Sequence, residues 1–237
     1  MSMIKTFGDR LSGKIAIVTG TSGNLGPIWV KLLRFHGVQV IEIDQPFCDV
    51  TDRNQISDMK IRCMKEYGIP DIIVNNAAID NPPGSDATFF GNYNRIMSVN
   101  AGGVINMVEI FHKEMIENGG GNIVNIGSML GFISSDPRNY TGNFDKPCAY
   151  GMAKAAIWNF TNNCNVRFAR SGLVSHVLAL SAVNGKQSAE FKKLYKSKIP
   201  IERMLEENDF AREFLTVCAA TVPYDSPLFV GGGWTLW

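Results

Sequence analysis

The stretch from residue 14 to residue 44 constrains the fold more than any other. Lys14-Ile-Ala-Ile-Val-Thr19 is a short, nearly continuous apolar run. Such a run reads as a strand buried on both faces of a parallel sheet. It passes at once into Gly20-Thr-Ser-Gly-Asn-Leu-Gly26, and from Pro27 to His36 the apolar residues Ile28, Leu32, Leu33 and Phe35 recur at helical spacing. Proline suits the first turn of a helix, where a backbone N–H has no partner anyway, and Gly37 supplies the stop. Val38 to Ile43 is a second strand, closed by Asp44. Strand, glycine-rich turn, helix, strand and acid together spell one parallel βαβ unit.

This order has a chemical use. Glycines at Gly20 and Gly26 let the backbone approach a pyrophosphate, and the first N–H groups of the helix, at the positive end of its dipole, hold it. Ser22, Asn24 and Leu25 lie in the same turn. Asp44 falls 18 residues after Gly26. That is near the spacing of about 20 at which an acid accepts hydrogen bonds from an adenosine ribose. A carboxylate there repels a 2′-phosphate, and no lysine or arginine stands in the turn or just after Asp44, where Gln45 follows. The expected cofactor is therefore NAD over NADP. A tight βα turn with no ligand is the plainer alternative.

The alternation continues. Helices are expected over Asp52–Tyr67, Phe89–Ser98, Val104–Glu117, Ala149–Arg170, Ser188–Ser197 and Glu206–Ala220. Strands are expected at Asp71–Val74, Asn122–Ile126, Leu173–Leu178 and Leu228–Val230. Val99-Asn100-Ala-Gly-Gly103 is expected to interrupt the helix that begins at Phe89, and loops are expected around Asn81–Gly84 and Ser134–Pro147. No repeat or linker divides the chain. Strands regularly spaced by helices imply a single doubly wound, Rossmann-type α/β domain over residues 1–237, with a parallel sheet of about seven strands.

Composition narrows the partners. The net charge is +1, without a basic or acidic block, so neither nucleic acid nor an anionic membrane is expected. No apolar run approaches a membrane span. The five cysteines are scattered without a Cys-x-x-Cys pair, and the three histidines are isolated. Reduced thiols in a cytoplasmic protein and no bound metal are the expectation.

Within this frame, Tyr150 and Lys154 stand one helical turn apart in Ala149-Tyr-Gly-Met-Ala-Lys154. An ammonium beside a phenol favours the phenolate, which makes Tyr150 a candidate proton donor or acceptor. A snorkelling lysine beside a half-buried ring would give the same spacing.

At this point the chain resembles the short-chain dehydrogenase/reductase family over essentially its whole length. The pieces that carry the resemblance occur in the family's order: Thr19-Gly-Thr-Ser-Gly-Asn-Leu-Gly26, Asp49-Val50, Asn75-Asn76-Ala77-Ala78, Asn100, Ile123-Val-Asn-Ile-Gly-Ser128 and Tyr150-Gly-Met-Ala-Lys154. The resemblance implies a homodimeric or homotetrameric nicotinamide oxidoreductase acting on a secondary alcohol or ketone, with Asn100, Ser128, Tyr150 and Lys154 as its catalytic group. It further implies that Lys154 binds the nicotinamide ribose and that Asn100 holds a water linking Lys154 to solvent. By the same resemblance Asp49 reads the adenine beside Val50, and Asn76 and Ala77 line the cofactor. The residue types fit the chemistry: Tyr150 moves the proton that accompanies hydride transfer, and Ser128 donates to the substrate oxygen where negative charge develops. Taken alone, Ser128 reads as a strand-end serine capping its own backbone, Asn100 as a helix-breaking turn residue, and Asp49 as an N-cap near Thr51.

The chain departs from the family pattern at four places. Asn24 replaces the usual middle glycine, and Ala179-Leu-Ser-Ala-Val183 stands where a Pro-Gly pair usually shapes the nicotinamide pocket. The acid common before the last glycines is missing at Gly231, and the gap from Ser128 to Tyr150 is long. The second departure keeps open a catalytically weak dinucleotide-binding protein; a 3-oxoacyl-thioester reductase is a further alternative. The long loop, Ser134–Pro147, is expected to touch substrate through Arg138, Tyr140, Asn143, Asp145 and Lys146. That favours a polyol, sugar or hydroxy acid, with Arg138 or Lys146 the contact for an anion. Helix Ala149–Arg170 carries Ala155, Ile157, Trp158, Phe160 and Phe168, more apolar surface than one face needs, which predicts self-association.

Overall fold

In the computed structural model, which describes residues 7–81, 88–140 and 144–236, the apolar runs become six parallel strands. They are β1 (Ile15–Thr19), β2 (Gln39–Ile43), β3 (Ile72–Asn75), β4 (Gly121–Ser128), β5 (Leu173–Leu180) and β6 (Leu228–Val230). The helices are α1 (Phe7–Leu11), α2 (Gly26–Phe35), α3 (Arg53–Glu66), α4 (Tyr93–Met97), α5 (Gly103–Glu117), α6 (Cys148–Phe168), α7 (Ala189–Lys196) and α8 (Glu207–Cys218). Pro82, Pro83, Gly84 and Asn143 lie outside the described residues.

The sheet order is β2-β1-β3-β4-β5-β6, with every pair parallel. Side chains that alternate along each strand feed two separate cores. Ala16, Val18, Val74, Val124 and Leu178 pack under α2 and α8, with Trp29 and Phe214 among them. Ile17, Ile41, Ile73 and Ile123 pack under α3 and α5 on the other side. Helices on both faces and buried, mainly apolar central strands give the doubly wound arrangement that the sequence predicts.

The six strands among the described residues are the six that the sequence places, close to the expected count of about seven. Only residues 44–52 join β2 to α3, and a parallel crossover needs about a dozen residues or more. No further strand fits between them, and β2 forms the edge.

Local boundaries moved at three functional places. The helix expected from Phe89 begins at Tyr93, after Asn92 in the left-handed conformation (φ 54°). The expected interruption at Val99–Gly103 is a π-helical turn, Ser98–Gly102, that leads into α5 without a break. Gly103 there lies against Val50, where a Cβ would meet Val50 Cγ2 at 2.6 Å. β5 extends two residues past Leu178, so Ala179 and Leu180 belong to the strand.

Candidate active site

Close packing shapes the glycine-rich turn. Gly20 has φ +69°, and a Cβ on it would sit 2.6 Å from Ala77 Cα; one on Gly26 would sit 2.5 Å from the Gly20 carbonyl oxygen. Asn76 locks this turn to the end of β3. Its Nδ2 donates to the carbonyls of Thr19 and Gly20, both at 2.9 Å. Its Oδ1 accepts from the Trp29 indole at 2.9 Å. The Thr19 hydroxyl accepts from the N–H groups of Asn76 and Ala77. No side chain caps the N-terminus of α2; Pro27 has no N–H and those of Ile28 and Trp29 go to the Leu25 carbonyl, so an anion here would be met by the end of the turn, at Asn24 to Gly26, at the positive end of the helix.

In front of this turn lies a hollow of about 560 Å³. It sits at the carboxyl ends of β1 and β3, where the sheet order reverses direction from β1, the usual place for a nucleotide in such folds. Gly20, Ser22, Asn24 and Leu25 line it, with Asp44, Asp49 and Val50 on one side and Asn76 and Ala77 on the other. Gly26 is buried behind them. Burial raises the Asp44 carboxyl, but hydrogen bonds from the Ser22 hydroxyl and N–H and from Gln45 N–H outweigh it, so its pKa is lowered. Asp49 accepts from the N–H and hydroxyl of Thr51, both at 2.8 Å. It is not the N-cap of α3; that is Asp52, which accepts from Asn54 N and Gln55 N. Arg95, from α4, also lines this hollow. Arg95 stands far from Asp44 along the chain, so linear spacing carries no sign of a cation there.

A second hollow of about 460 Å³ adjoins the first through shared residues Asn24, Leu25, Ala78 and Ile79. Ser128 and Tyr150 line it together, and the Ser128 hydroxyl lies close enough to pull the tyrosine pKa down against its other surroundings. Ser128 also accepts from Leu130 N at 3.2 Å, so it caps its own backbone as well as meeting the tyrosine. Lys154 lies behind, buried, with its Nζ 5.7 Å from the centroid of the Tyr150 ring and donating to the Ile126 carbonyl at 2.7 Å. Asn100 is farther back. Its amide clamps the backbone of Ile79, accepting from the N–H at 2.8 Å and donating to the carbonyl at 2.9 Å. The structure therefore brings Ser128, Tyr150 and Lys154 together and uses the Asn100 side chain to hold the segment that follows β3.

The electrostatics reverse one expectation. The Tyr150 pKa is raised, chiefly by burial and then by the negative charge of Asp80, although the Ser128 hydrogen bond opposes the rise. Burial also pushes Lys154 down, to about 8. Desolvation disfavours both charged forms, and it outweighs the lowering of the tyrosine by the lysine expected from their spacing.

Of the long loop, Ser135, Asp136, Asn139, Tyr140 and Lys146 line the second hollow. Arg138 does not. It turns outward to the wall of another, larger depression and forms a two-pronged pair with Asp136 at 2.9 and 3.0 Å. Asp136 also accepts from Lys198 and is held well below the usual carboxylate range, first by the Arg138 hydrogen bond. Sequence reasoning missed Asp80, Phe191, Tyr195 and Trp234, which also line the hollow. Asp80 follows directly on the Asn75–Ala78 motif and was findable on that ground. The other three come from segments with no motif.

The segment lacking the Pro-Gly pair is not loose. Ser181 N donates to Val230 O at 3.0 Å, Ala182 N to the Tyr195 hydroxyl at 3.1 Å, and Asn184 N to Leu205 O at 2.8 Å. Tyr195 is itself fixed by stacking on Trp234, with centroids 4.4 Å apart and planes 4° apart. Among the described residues there is no cluster of three or more metal-ligating side chains, and no helix is long and apolar enough to cross a membrane.

Comparison with known proteins agrees with this geometry. A family model described as short chain dehydrogenase matches residues 41–194. A D-arabinitol 2-dehydrogenase (ribulose-forming) of Scheffersomyces stipitis is 25% identical, with 96% of each chain covered. An NADH-dependent L-xylulose reductase of Ambrosiozyma monospora is 27% identical over 99% of this chain and 98% of its own. The crystal structure of a short chain dehydrogenase from Leptospira borgpetersenii with bound NAD+ superposes with a TM-score of 0.83 at 23% identity, covering 99% of this chain and 98% of that one, a likeness of fold.

Proposed function

Because the chain belongs to the short-chain dehydrogenase/reductase family, we propose that it interconverts a secondary alcohol and a ketone with a nicotinamide cofactor, that its substrate is a polyol or ketose, and that Tyr150 moves the proton. The observation that carries this reading is Ser128 and Tyr150 together on the wall of a hollow, with Lys154 buried behind the tyrosine, that adjoins through Asn24, Leu25, Ala78 and Ile79 the hollow fronting the glycine-rich turn. Relatives that act on arabinitol and xylulose support the substrate class.

The turn residues Gly20, Ser22, Asn24, Leu25 and Gly26, with Asp44, Asp49, Val50, Asn76 and Ala77, would hold the dinucleotide; when bound, its nicotinamide supplies or accepts the hydride. The groups present fit that role: a close-packed glycine turn at a helix N-terminus would take a pyrophosphate, and the Asp44 and Asp49 carboxylates lining the same hollow would accept from ribose hydroxyls and the adenine. The Tyr150 hydroxyl, kept protonated by burial, gives its proton to the oxygen of a ketone as negative charge grows there. Ser128 donates a second hydrogen bond to the same oxygen. In the oxidative direction both steps reverse. Lys154, whose Nζ lies 5.7 Å from the Tyr150 ring centroid, would bind the nicotinamide ribose and, when charged, favour the tyrosinate left after the proton has moved. Asn100 keeps the segment after β3 in place.

NAD is the favoured cofactor: the carboxylates of Asp44 and Asp49 repel a 2′-phosphate, and Arg95 is one cation against two. The test is a turnover screen of D-arabinitol, xylulose and simple secondary alcohols with both cofactors. Turnover with NAD(H) at least about tenfold more efficient than with NADP(H), a difference of about 1.4 kcal/mol, is expected. NADPH preferred would remove the role given to Asp44, and cofactor binding without turnover of any substrate would leave a binding protein in place of an enzyme.

We further propose that residues 1–237 act as one cytoplasmic domain that assembles as a homodimer or homotetramer. The apolar surplus on α6 is smaller than its sequence implies, because Trp158 meets Phe132 and Phe168 meets His112 within the chain. Ile105, Met152 and Val166 remain exposed on α5 and α6, and covering them is the motive for association. Light scattering at micromolar concentration should give a dimer or tetramer mass; a monomer mass excludes the assembly.

A further inference from the structure

Above the Tyr150 ring lies an ion pair that the proton-transfer chemistry does not use. Lys146 Nζ sits 4.2 Å from the ring centroid and pairs with Asp80 Oδ2. The two residues come from opposite sides of the substrate hollow. Asp80 follows β3, two residues after Ala78, and its neighbour Ile79 is clamped at both backbone groups by Asn100. Lys146 immediately precedes Pro147, the N-cap of the helix that carries Tyr150. Both ends are thus anchored on the elements that position the chemistry. We propose that the Asp80–Lys146 pair reads the substrate, binding the hydroxyl next to the reacting carbon of a neutral polyol or ketose. This rests on the reaction and substrate class proposed above.

The hydrogen-bonding inventory supports this role. Asp80 accepts from Lys146 and from Asn81 N–H at 2.9 Å, while an ionised carboxylate has roughly four acceptor positions. Lys146 has three N–H donors, and one goes to Asp80. Among the described residues the pair therefore has acceptor and donor positions left side by side, which is what a substrate hydroxyl needs, since it both gives and takes a hydrogen bond. The carboxylate is the more open end: side-chain exposure is 36% for Asp80 and 11% for Lys146.

Charge selects against other substrates. The charged side chains lining this hollow are Asp80, Asp136, Lys146 and Lys186, which balance. Arg138, an alternative contact for an anion, faces away, paired to Asp136. A hollow of balanced charge gives no net attraction to an anion, and a hydrocarbon would leave the pair partly desolvated without partners, which is costly. A hydroxylated neutral molecule suffers neither penalty.

The experiment measures kcat/KM for D-arabinitol and for cyclohexanol, a secondary alcohol with no neighbouring hydroxyl, in wild type, Asp80→Asn and Lys146→Gln. The ratio of the two should fall by roughly 10–100-fold in each variant, the loss of one hydrogen bond to a charged group. A charge exchange, D80K with K146D, separates recognition from a mere latch between the two loops. It preserves the latch but moves donor and acceptor, so the ratio should stay low although the melting temperature returns toward wild type. An unchanged ratio in both single variants, or a ratio restored by the exchange, overturns the proposal. A wild-type enzyme that turns over cyclohexanol but not polyols overturns it as well while leaving the oxidoreductase reading intact. Wild type inert toward every alcohol and ketone removes both readings.

Discussion

Tyr150→Phe lowers kcat by about 10²–10⁴-fold, the range for loss of a general acid–base group, and leaves the NADH dissociation constant nearly unchanged. The substitution removes one hydroxyl and keeps the ring, so the packing of α6 and the contact with Lys146 persist. It also removes the hydroxyl beside Ser128. Ser128 still accepts from Leu130 N, so the serine keeps a local partner and the backbone of the site should hold. Steady-state kinetics with a fluorescence titration of NADH separates the two quantities. A variant that retained more than about a tenth of the wild-type rate would assign the proton transfer to another group.

Trp29→Ala destabilises the fold by about 4 kcal/mol, the centre of the range for a buried aromatic cut to alanine. Trp29 is fully buried, stacked on Phe214 with centroids 4.4 Å apart and edge-on to Phe210 at 5.3 Å. Little backbone near it can collapse into the space, because α2 is held to α8 through these rings. For a chain of this size the melting temperature should drop by about 8–16 °C, read by thermal or denaturant unfolding. The indole has a second task, since its N–H donates to Asn76, the residue that fastens the glycine-rich turn. Trp29→Phe keeps much of the packing and deletes only that donor. NADH affinity should weaken in Trp29→Phe at temperatures where the variant is fully folded. An unweakened affinity would show that the turn holds its shape without the indole.

The βαβ unit at residues 14–44, the alternation that follows it and the places of Ser128, Tyr150 and Lys154 are all legible in the chain. The first two, and the Tyr150–Lys154 spacing, depend on local periodicity or on neighbours within one helical turn, which a linear sequence displays directly; Ser128 joins them only through the ordered motifs of the family resemblance. Only the tertiary structure decided the rest. The sheet stops at β2 because the connection after Asp44 is short, a matter of crossover length. Tyr150 has a raised pKa because burial, which belongs to the assembled core, opposes the charge effect of a lysine one turn away. Arg138 turns outward because Asp136, two residues before it, captures it first. Asp80 and Lys146, 66 positions apart, become partners only when the ends of β3 and α6 meet beside one hollow. Pairings of that kind are set by topology, and the residues that make them carry no mark of it in the sequence.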